Sequence, residues 1–520
     1  MAEGDHDLGL VAEFPEGRVV ARDVAGKPVL ILREGAQVSA VGGECTHAGA
    51  PLAQGVVHQG RIVCPWHKAT FCLRGGGVLE PPALDPLPRF AARVEDGHIR
   101  LSLTPEEPER SQPSADARCF VIAGGGAAGA VAAQTLREEG FGGRIVMLDR
   151  ENRVPYDRTI LSKYVLSGEP GAEKSPLQTQ AFYAEQKIER RTGEVAGIDA
   201  AARQVRLADG SSLAYDALLL ATGGTPKRPD LPGATMGQVF LLRSRADADA
   251  ILAQAERSTS AVILGGSFVA MEVAASLRER GLAVTVVSKD KLPFAERLGA
   301  PVGEALMRLH KRRGVSFRLE SEAAAIEGDT QVRSVLLKSG ERLSADLIVI
   351  GFGVAPATGY ASSLARSEDG GILVDKHLRV ADGIFAAGDI ARFPLRGEGP
   401  PIRIEHWRVA EQQGRLAARN MMGKGQAYDA VPVFWTIHYL KRLDYIGHAT
   451  EWDDLVLHGD IEKPKFLVYY VKDGRVIAAA GLDRDRDTAA LVELLSQHRD
   501  WTAAELGPDP ARLLERCQVM

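Results

Sequence analysis

Two short loops, Cys45-Thr46-His47 and Cys64-Pro65-Trp66-His67, each pair one cysteine with one histidine. That alternation restricts the chain more than any other feature. In one kind of [2Fe–2S] cluster, two thiolates hold one iron and two neutral imidazoles hold the other, so each of two facing loops must supply one ligand of each kind. Imidazole in place of thiolate removes negative charge and raises the reduction potential. A zinc site also accepts two cysteines and two histidines, but it groups like ligands at spacings such as C-x2–4-C and H-x3–5-H. The alternation therefore favours iron, with Cys45, His47, Cys64 and His67 as ligands.

The residues around the loops read as an all-β module spanning 1–104. Val29-Leu-Ile-Leu-Arg33, Gly60-Arg-Ile-Val63 and Gly97-His-Ile-Arg-Leu-Ser-Leu103 are short β-rich runs punctuated by glycine and proline. Residues 105–117 are polar and proline-rich, which predicts a semi-extended linker that would let the module swing. The module resembles a Rieske domain. High-potential Rieske proteins add a disulfide-tied cysteine to each loop and a serine that bonds a bridging sulfide. Ala48–Ala50 and Lys68–Thr70 supply neither. The resemblance therefore implies a potential near the low end of the range, about −150 mV, as in a ferredoxin.

Beyond the linker the pattern changes. Cys119-Phe-Val-Ile-Ala123 is an apolar run of parallel-strand type, and it feeds Gly124-x-Gly126-x-x-Gly129 and an alanine-rich helix. The first glycine makes the turn, the second admits a pyrophosphate, and the third lets helix and strand pack. The next strand, Arg144–Leu148, ends at Asp149, placed to bond a ribose hydroxyl. A second unit begins at Ala261–Leu264 and turns through Gly265-Gly266-Ser267, with Ser267 and Ala270 where glycines are usual. Its following strand ends at Ser288-Lys289 without the carboxylate that holds an NAD ribose, which makes NADPH as credible as NADH.

Two nucleotide folds, one nested in the other, point to a flavin reductase. Residues 118–520 resemble ferredoxin reductases of the glutathione-reductase structural class, and the whole chain resembles apoptosis-inducing-factor-like proteins with an N-terminal Rieske domain. The motifs that carry this are Pro155-Tyr-Asp-Arg158-Thr-Ile-Leu-Ser-Lys163, Ala221-Thr222-Gly223-Gly, Phe385-Ala-Ala-Gly388-Asp389 and His406-Trp407. The resemblance implies a multidomain fold: an all-β Rieske domain, two α/β Rossmann-like domains and an α+β C-terminal domain. FAD would occupy 118–243 with 370–430, NAD(P) would occupy 244–369, and the C-terminal domain would span 431–520.

The same resemblance assigns Arg158 and Lys163 to the segment along the flavin, and Asp389 to its ribityl chain. The helix opening at His406-Trp407 would face the pyrimidine ring, where its positive end favours an anionic flavin. Trp435 would lie near the isoalloxazine, and Gly353 joins the nucleotide contacts. Lys163 and Glu272 would form an ion pair where hydride arrives, and Phe268 would shield the flavin face until nicotinamide displaces it.

The implied activity moves electrons from NAD(P)H through FAD to the Rieske cluster and on to an external redox protein such as an oxygenase or cytochrome P450. A redox-sensing interaction protein of the apoptosis-inducing-factor type is the alternative. A Rieske oxygenase would need a two-His-one-carboxylate iron site, and no histidine pair outside the loops has close helical spacing. A disulfide reductase would need C-x-x-x-x-C after the first glycine motif, which is missing. With 63 Lys and Arg against 68 Asp and Glu, and no basic run, nothing points to nucleic acid. No stretch reaches the roughly 18 apolar residues of a membrane span, and Cys72, Cys119 and Cys517 show no pairing pattern. These features predict a cytoplasmic protein, and the family resemblance implies that the third domain would offer a homo-oligomer interface.

Overall fold

The computed structural model describes residues 5–107, 114–169, 176–397 and 399–517. The buried run Val29–Leu32 lies inside strand Lys27–Glu34. It belongs to a six-stranded antiparallel sheet ordered Asp5–Leu10, His98–Glu106, Arg89–Glu95, Gln37–Gly42, Lys27–Glu34, Val19–Val24. A second, four-stranded sheet, Val56–His58, Arg61–Val63, Thr70–Cys72 and Val78–Glu80, carries the second ligand loop between two of its strands. The last strand of the larger sheet runs through Glu106, two residues into the expected linker, because Pro105 and Glu106 still pair with Phe90 and Arg89. Residues 108–113 of that linker lie outside the described residues.

The flavin-side sheet explains the nested domain order. Strands Ile188–Thr192, Arg144–Asp149, Cys119–Ala123, Ala217–Leu220 and Ile384–Ala386 run parallel, with Arg379–Ala381 antiparallel at the edge. The chain leaves this sheet, builds the nicotinamide-side sheet, and returns. That second sheet is parallel and ordered Val239–Phe240, Leu347–Ile350, Ser260–Leu264, Ala283–Val287, Ser316–Arg318. Its edge strand Val239–Phe240 precedes the expected boundary at 244, since those residues extend the ladder of Leu347–Ile350.

The C-terminal part is a five-stranded antiparallel sheet covered by the helix Asp485–Ser496. Val56 and Val63 of the N-terminal domain belong to the same buried apolar cluster as Val433, Ile446, Leu491 and Trp501. The first domain is therefore packed into the core of the last. No helix of the described residues is long and apolar enough to cross a membrane.

Candidate cluster, flavin and nicotinamide sites

Cys45 and Cys64 are buried, and their sulfurs share a hydrogen bond. The backbone N–H groups of His47 and Ala48 point at the first sulfur, and those of Trp66 and His67 at the second. Such donors favour thiolates. His47 Nδ1 and His67 Nδ1 stand 3.1 Å apart, and burial pushes both imidazoles toward the neutral, ligating form. Among the described residues no three His, Cys, Asp or Glu side chains converge on a single ion position. The ligands fall into a sulfur pair and a nitrogen pair, which fits a dinuclear cluster and not tetrahedral zinc. The nearby hydroxyls turn elsewhere: Thr46 Oγ1 donates to the Asp85 carbonyl and Thr70 Oγ1 to that of Lys68.

Lys68, next to His67, has φ +64, a left-handed conformation that costs a non-glycine residue energy. Its fully buried ammonium is what that turn places. Nζ donates to the Pro65 carbonyl at 2.5 Å and to Asp444 Oδ2 at 2.7 Å, on the C-terminal sheet. Thr488 Oγ1 donates to the same carboxylate oxygen at 3.0 Å, and Arg442 lies 3.2 Å from Oδ1. Arg408, only 1% exposed, donates to the carbonyls of Pro81 and Lys68. The His67 ring packs on Trp435, centroids 4.6 Å apart. The linker composition allows a swinging domain; the structure describes a docked one, held by a buried ion pair.

The reductase part holds two spaces that share walls at Gly126, Arg158 and Gly223. A cleft of about 640 Å³ is lined by Gly124, Gly126, Asp149, Arg158, Ala221, Thr222 and Gly223, among others. Gly124, at φ +126, leaves no room for a side chain, because a Cβ would come within 2.1 Å of the Ala221 carbonyl. Gly126 has open space where a Cβ would be, so ligand can approach its backbone. Burial raises the Asp149 carboxyl above the usual range.

The second space, about 260 Å³, is lined by Lys163, Glu272, Phe268, Gly388, Asp389, His406, Trp407 and Trp435. Lys163 Nζ lies 3.1 Å from Glu272 Oε2. Asp389 pairs with Arg243 at 3.0 Å. Phe268 stands 5.0 Å from Phe434, ring to ring, and lines both this cavity and the nicotinamide pocket. Burial pushes His406 down to about 3, and its Nδ1 has no hydrogen-bond partner among the described residues. A cleft of glycine backbone leading into a cavity with an unpartnered polar atom fits FAD.

The nicotinamide-side pocket is larger than either, about 1480 Å³, and Gly265, Gly266, Ser267, Ser288, Lys289 and Gly353 line it. Gly265 has φ +118, and a Cβ there would meet the Gly351 carbonyl at 2.5 Å. The expectation of a carboxylate-free edge is wrong. Asp290 lines the pocket, and Ser288 Oγ donates to its Oδ2 at 3.1 Å. The tight turn after Val287 folds the chain back, so the carboxylate arrives two residues past the strand end and faces Gly266 as Asp149 faces Gly125.

The model for "Pyridine nucleotide-disulphide oxidoreductase" matches residues 119–414, more than half of the chain. This chain belongs to that family. The "Rieske [2Fe-2S] domain" matches 6–91 and the "Reductase C-terminal" 433–517. Apoptosis-inducing factor 3 of Mus musculus is 35% identical over 94% of this chain and 83% of its own length. The ferredoxin–NAD(+) reductase component of the anthranilate 1,2-dioxygenase system of Burkholderia cepacia is 35% identical over 76% of this chain and 97% of its own. The covalent putidaredoxin reductase–putidaredoxin complex is similar in structure, with TM-score 0.74 and 29% identity over 78% of this chain and 100% of that one.

This member of the pyridine nucleotide-disulphide oxidoreductases is an FAD-dependent NAD(P)H oxidoreductase carrying a Rieske [2Fe–2S] domain. Its sequence motifs missed several residues at these sites. Lys68 and Asp444 become partners only through the docking of two distant domains. Arg243 belongs to no motif. Glu411 is fully buried, accepts from Trp407 Nε1 at 2.9 Å, and is held well above the usual carboxyl range by burial and by Asp157. Only Asp290 left a signal, as an acid just past the strand end.

Proposed function

We propose that this chain is a self-contained electron-transfer enzyme that passes electrons from NAD(P)H to its own docked cluster and on to an external one-electron protein. Bound FAD would supply the conversion of two-electron hydride chemistry to one-electron transfer. Gly124, Gly126, Asp149 and Arg158 would hold its nucleotide half, and Lys163, Asp389 and His406 its ring half. Phe268 stands between the two pockets and would move aside for nicotinamide. Lys163 and Glu272 fix a paired charge at the cavity wall and so orient the approach. The start of helix Trp407–Met421, whose first residues line the cavity, would favour negative charge on a ring bound there.

The observation that carries this reading is the contact of His67 with Trp435, which also lines the flavin cavity. A cluster ligand and the cavity share one side chain, so transfer needs no second protein. The relatives named as reductase components of dioxygenase systems support an oxygenase component as the external acceptor.

Anaerobic stopped-flow mixing with NADH tests the proposal. Cluster reduction should proceed at one rate from nanomolar to micromolar protein. A rate that rises with protein concentration would mean transfer between chains. His67→Ala should remove cluster reduction and leave flavin bleaching by NADH.

A further inference from the structure

Behind Glu272, on the side away from the flavin cavity, four polar side chains line up in the core. Thr436 Oγ1 lies 2.6 Å from Glu272 Oε1. His438 Nε2 lies 3.0 Å from that hydroxyl, and His438 Nδ1 lies 3.2 Å from His310 Nε2. Tyr439 OH lies 3.3 Å from His310 Nδ1. Thr436, His438 and His310 are at most 1% exposed. Tyr439 and Leu440, both at positive φ, form the tip of the hairpin joining Val433–His438 to Lys441–Gly447, and Leu440 is 78% exposed. The Arg313 guanidinium sits over the Tyr439 ring at 5.2 Å, and exposed Glu279 with Arg278 completes the rim.

We propose that Thr436, His438, His310 and Tyr439 form a proton path from the Lys163–Glu272 pair to the protein surface. The inference rests on the proposed function, because the chemistry of that reading demands such a path. Oxidation of the nicotinamide by one-electron acceptors balances as NAD(P)H → NAD(P)+ + H+ + 2 e−. The Rieske cluster and the external acceptor would take the electrons singly, and one proton per NAD(P)H would be left in the flavin-side cavity, whose Trp435 wall is packed against His67 of the docked domain.

The line is ordered end to end. With both rings carrying the proton on Nε2, Tyr439 donates to His310, His310 to His438, His438 to Thr436 and Thr436 to Glu272. With the proton to be moved held on Glu272 Oε1 and both rings carrying theirs on Nδ1, every bond reverses and the Glu272 carboxyl donates to Thr436. Each ordering leaves every nitrogen in the line partnered, and passing one proton along the line converts one into the other. Both rings are neutral, as a relay between tautomers requires: burial, with the Lys163 charge second, lowers His438 to about 3, and burial with His438 holds His310 well below the ordinary histidine range. The Met271 carbonyl also approaches the His438 ring and competes for its proton.

The full chain carrying both cofactors is the sample, with His310→Phe, Tyr439→Phe and the conservative His310→Gln as variants. Three readouts separate a path from a structural role: flavin bleaching on mixing with NADH, proton release to a pH indicator during reoxidation by cytochrome c, and ¹⁵N spectra of the histidine rings. Reoxidation and proton release should slow by about tenfold in His310→Phe and less in Tyr439→Phe, with bleaching unchanged. His310→Gln, which keeps a donor and an acceptor, should recover most of the rate. Both rings should remain neutral at pH 7. Proton release at the wild-type rate in both phenylalanine variants would overturn the path, as would equal slowing of both half-reactions or a charged ring at His438 or His310. A wild-type chain whose flavin is not bleached by NADH would overturn the underlying reading instead.

Discussion

The His67 ring meets the Trp435 ring at 4.6 Å between centroids and 45° between planes. The proposed cluster ligand His67 and a wall of the proposed flavin cavity are thus packed together inside one chain, and on the proposed function the electron's route would be a matter of packing rather than encounter. Trp435→Ala would open a gap there. Flavin-to-cluster transfer should slow by about tenfold, a barrier change of about 1.4 kcal/mol, while Trp435→Phe should slow it less. Stopped-flow traces of cluster reduction after NADH mixing measure both.

The Lys68–Asp444 pair is a test of what keeps the domains docked. Asp444→Ala leaves a buried ammonium without its carboxylate, and breaking a buried pair on one side costs about 3–5 kcal/mol. Expected outcomes are a lower melting temperature and protease cleavage between the domains. Removing both charges, with Lys68→Met added, should restore most of the loss, since the penalty arises from the orphaned charge.

Asp290 sets an expectation for coenzyme choice. Its carboxylate would accept from a ribose hydroxyl and repel a 2′-phosphate, so NADH should be preferred. Asp290→Asn should move the ratio of kcat/KM values toward NADPH by about tenfold for each 1.4 kcal/mol of repulsion relieved, helped by the neighbouring Lys289. Steady-state kinetics with both coenzymes measures it.

Acid should destabilise the reductase part through its buried histidines. His406 and His438 are pushed down to about 3 in the folded chain by burial, against about 6.5 when unfolded. Between those values the unfolded state binds more protons, so stability falls as pH falls through that window. The slope is about 1.4 kcal/mol per pH unit for each ring. Urea midpoints at pH 7.5 and 5.0 should differ, and His406→Asn should reduce the difference.

Sequence carried the elements whose chemistry is local. The two ligand loops, the glycine turn at Gly124–Gly129 and the nested return of the chain through Phe385 to Asp389 all depend on residues a few positions apart. It failed where a contact is made by folding. Lys68 looks like a surface lysine until the C-terminal sheet brings Asp444 to it, and the hairpin histidine His438 meets His310 only across two domains. Asp290 was missed for a different reason: the rule that reads the strand end does not anticipate a turn that returns the chain two residues later.

The nested flavin sheet also imposes an order of assembly. The first domain's sheet closes within residues 5–106, so it can take shape early on the ribosome. The flavin sheet must wait for Ile384–Ala386, after the whole nicotinamide insertion has been made, and the seat for the first domain waits longer still, for Asp444. In chain order, therefore, the first domain is made before the seat that closes over Lys68 exists. Cluster insertion before docking is the sequence of events that this chain order favours.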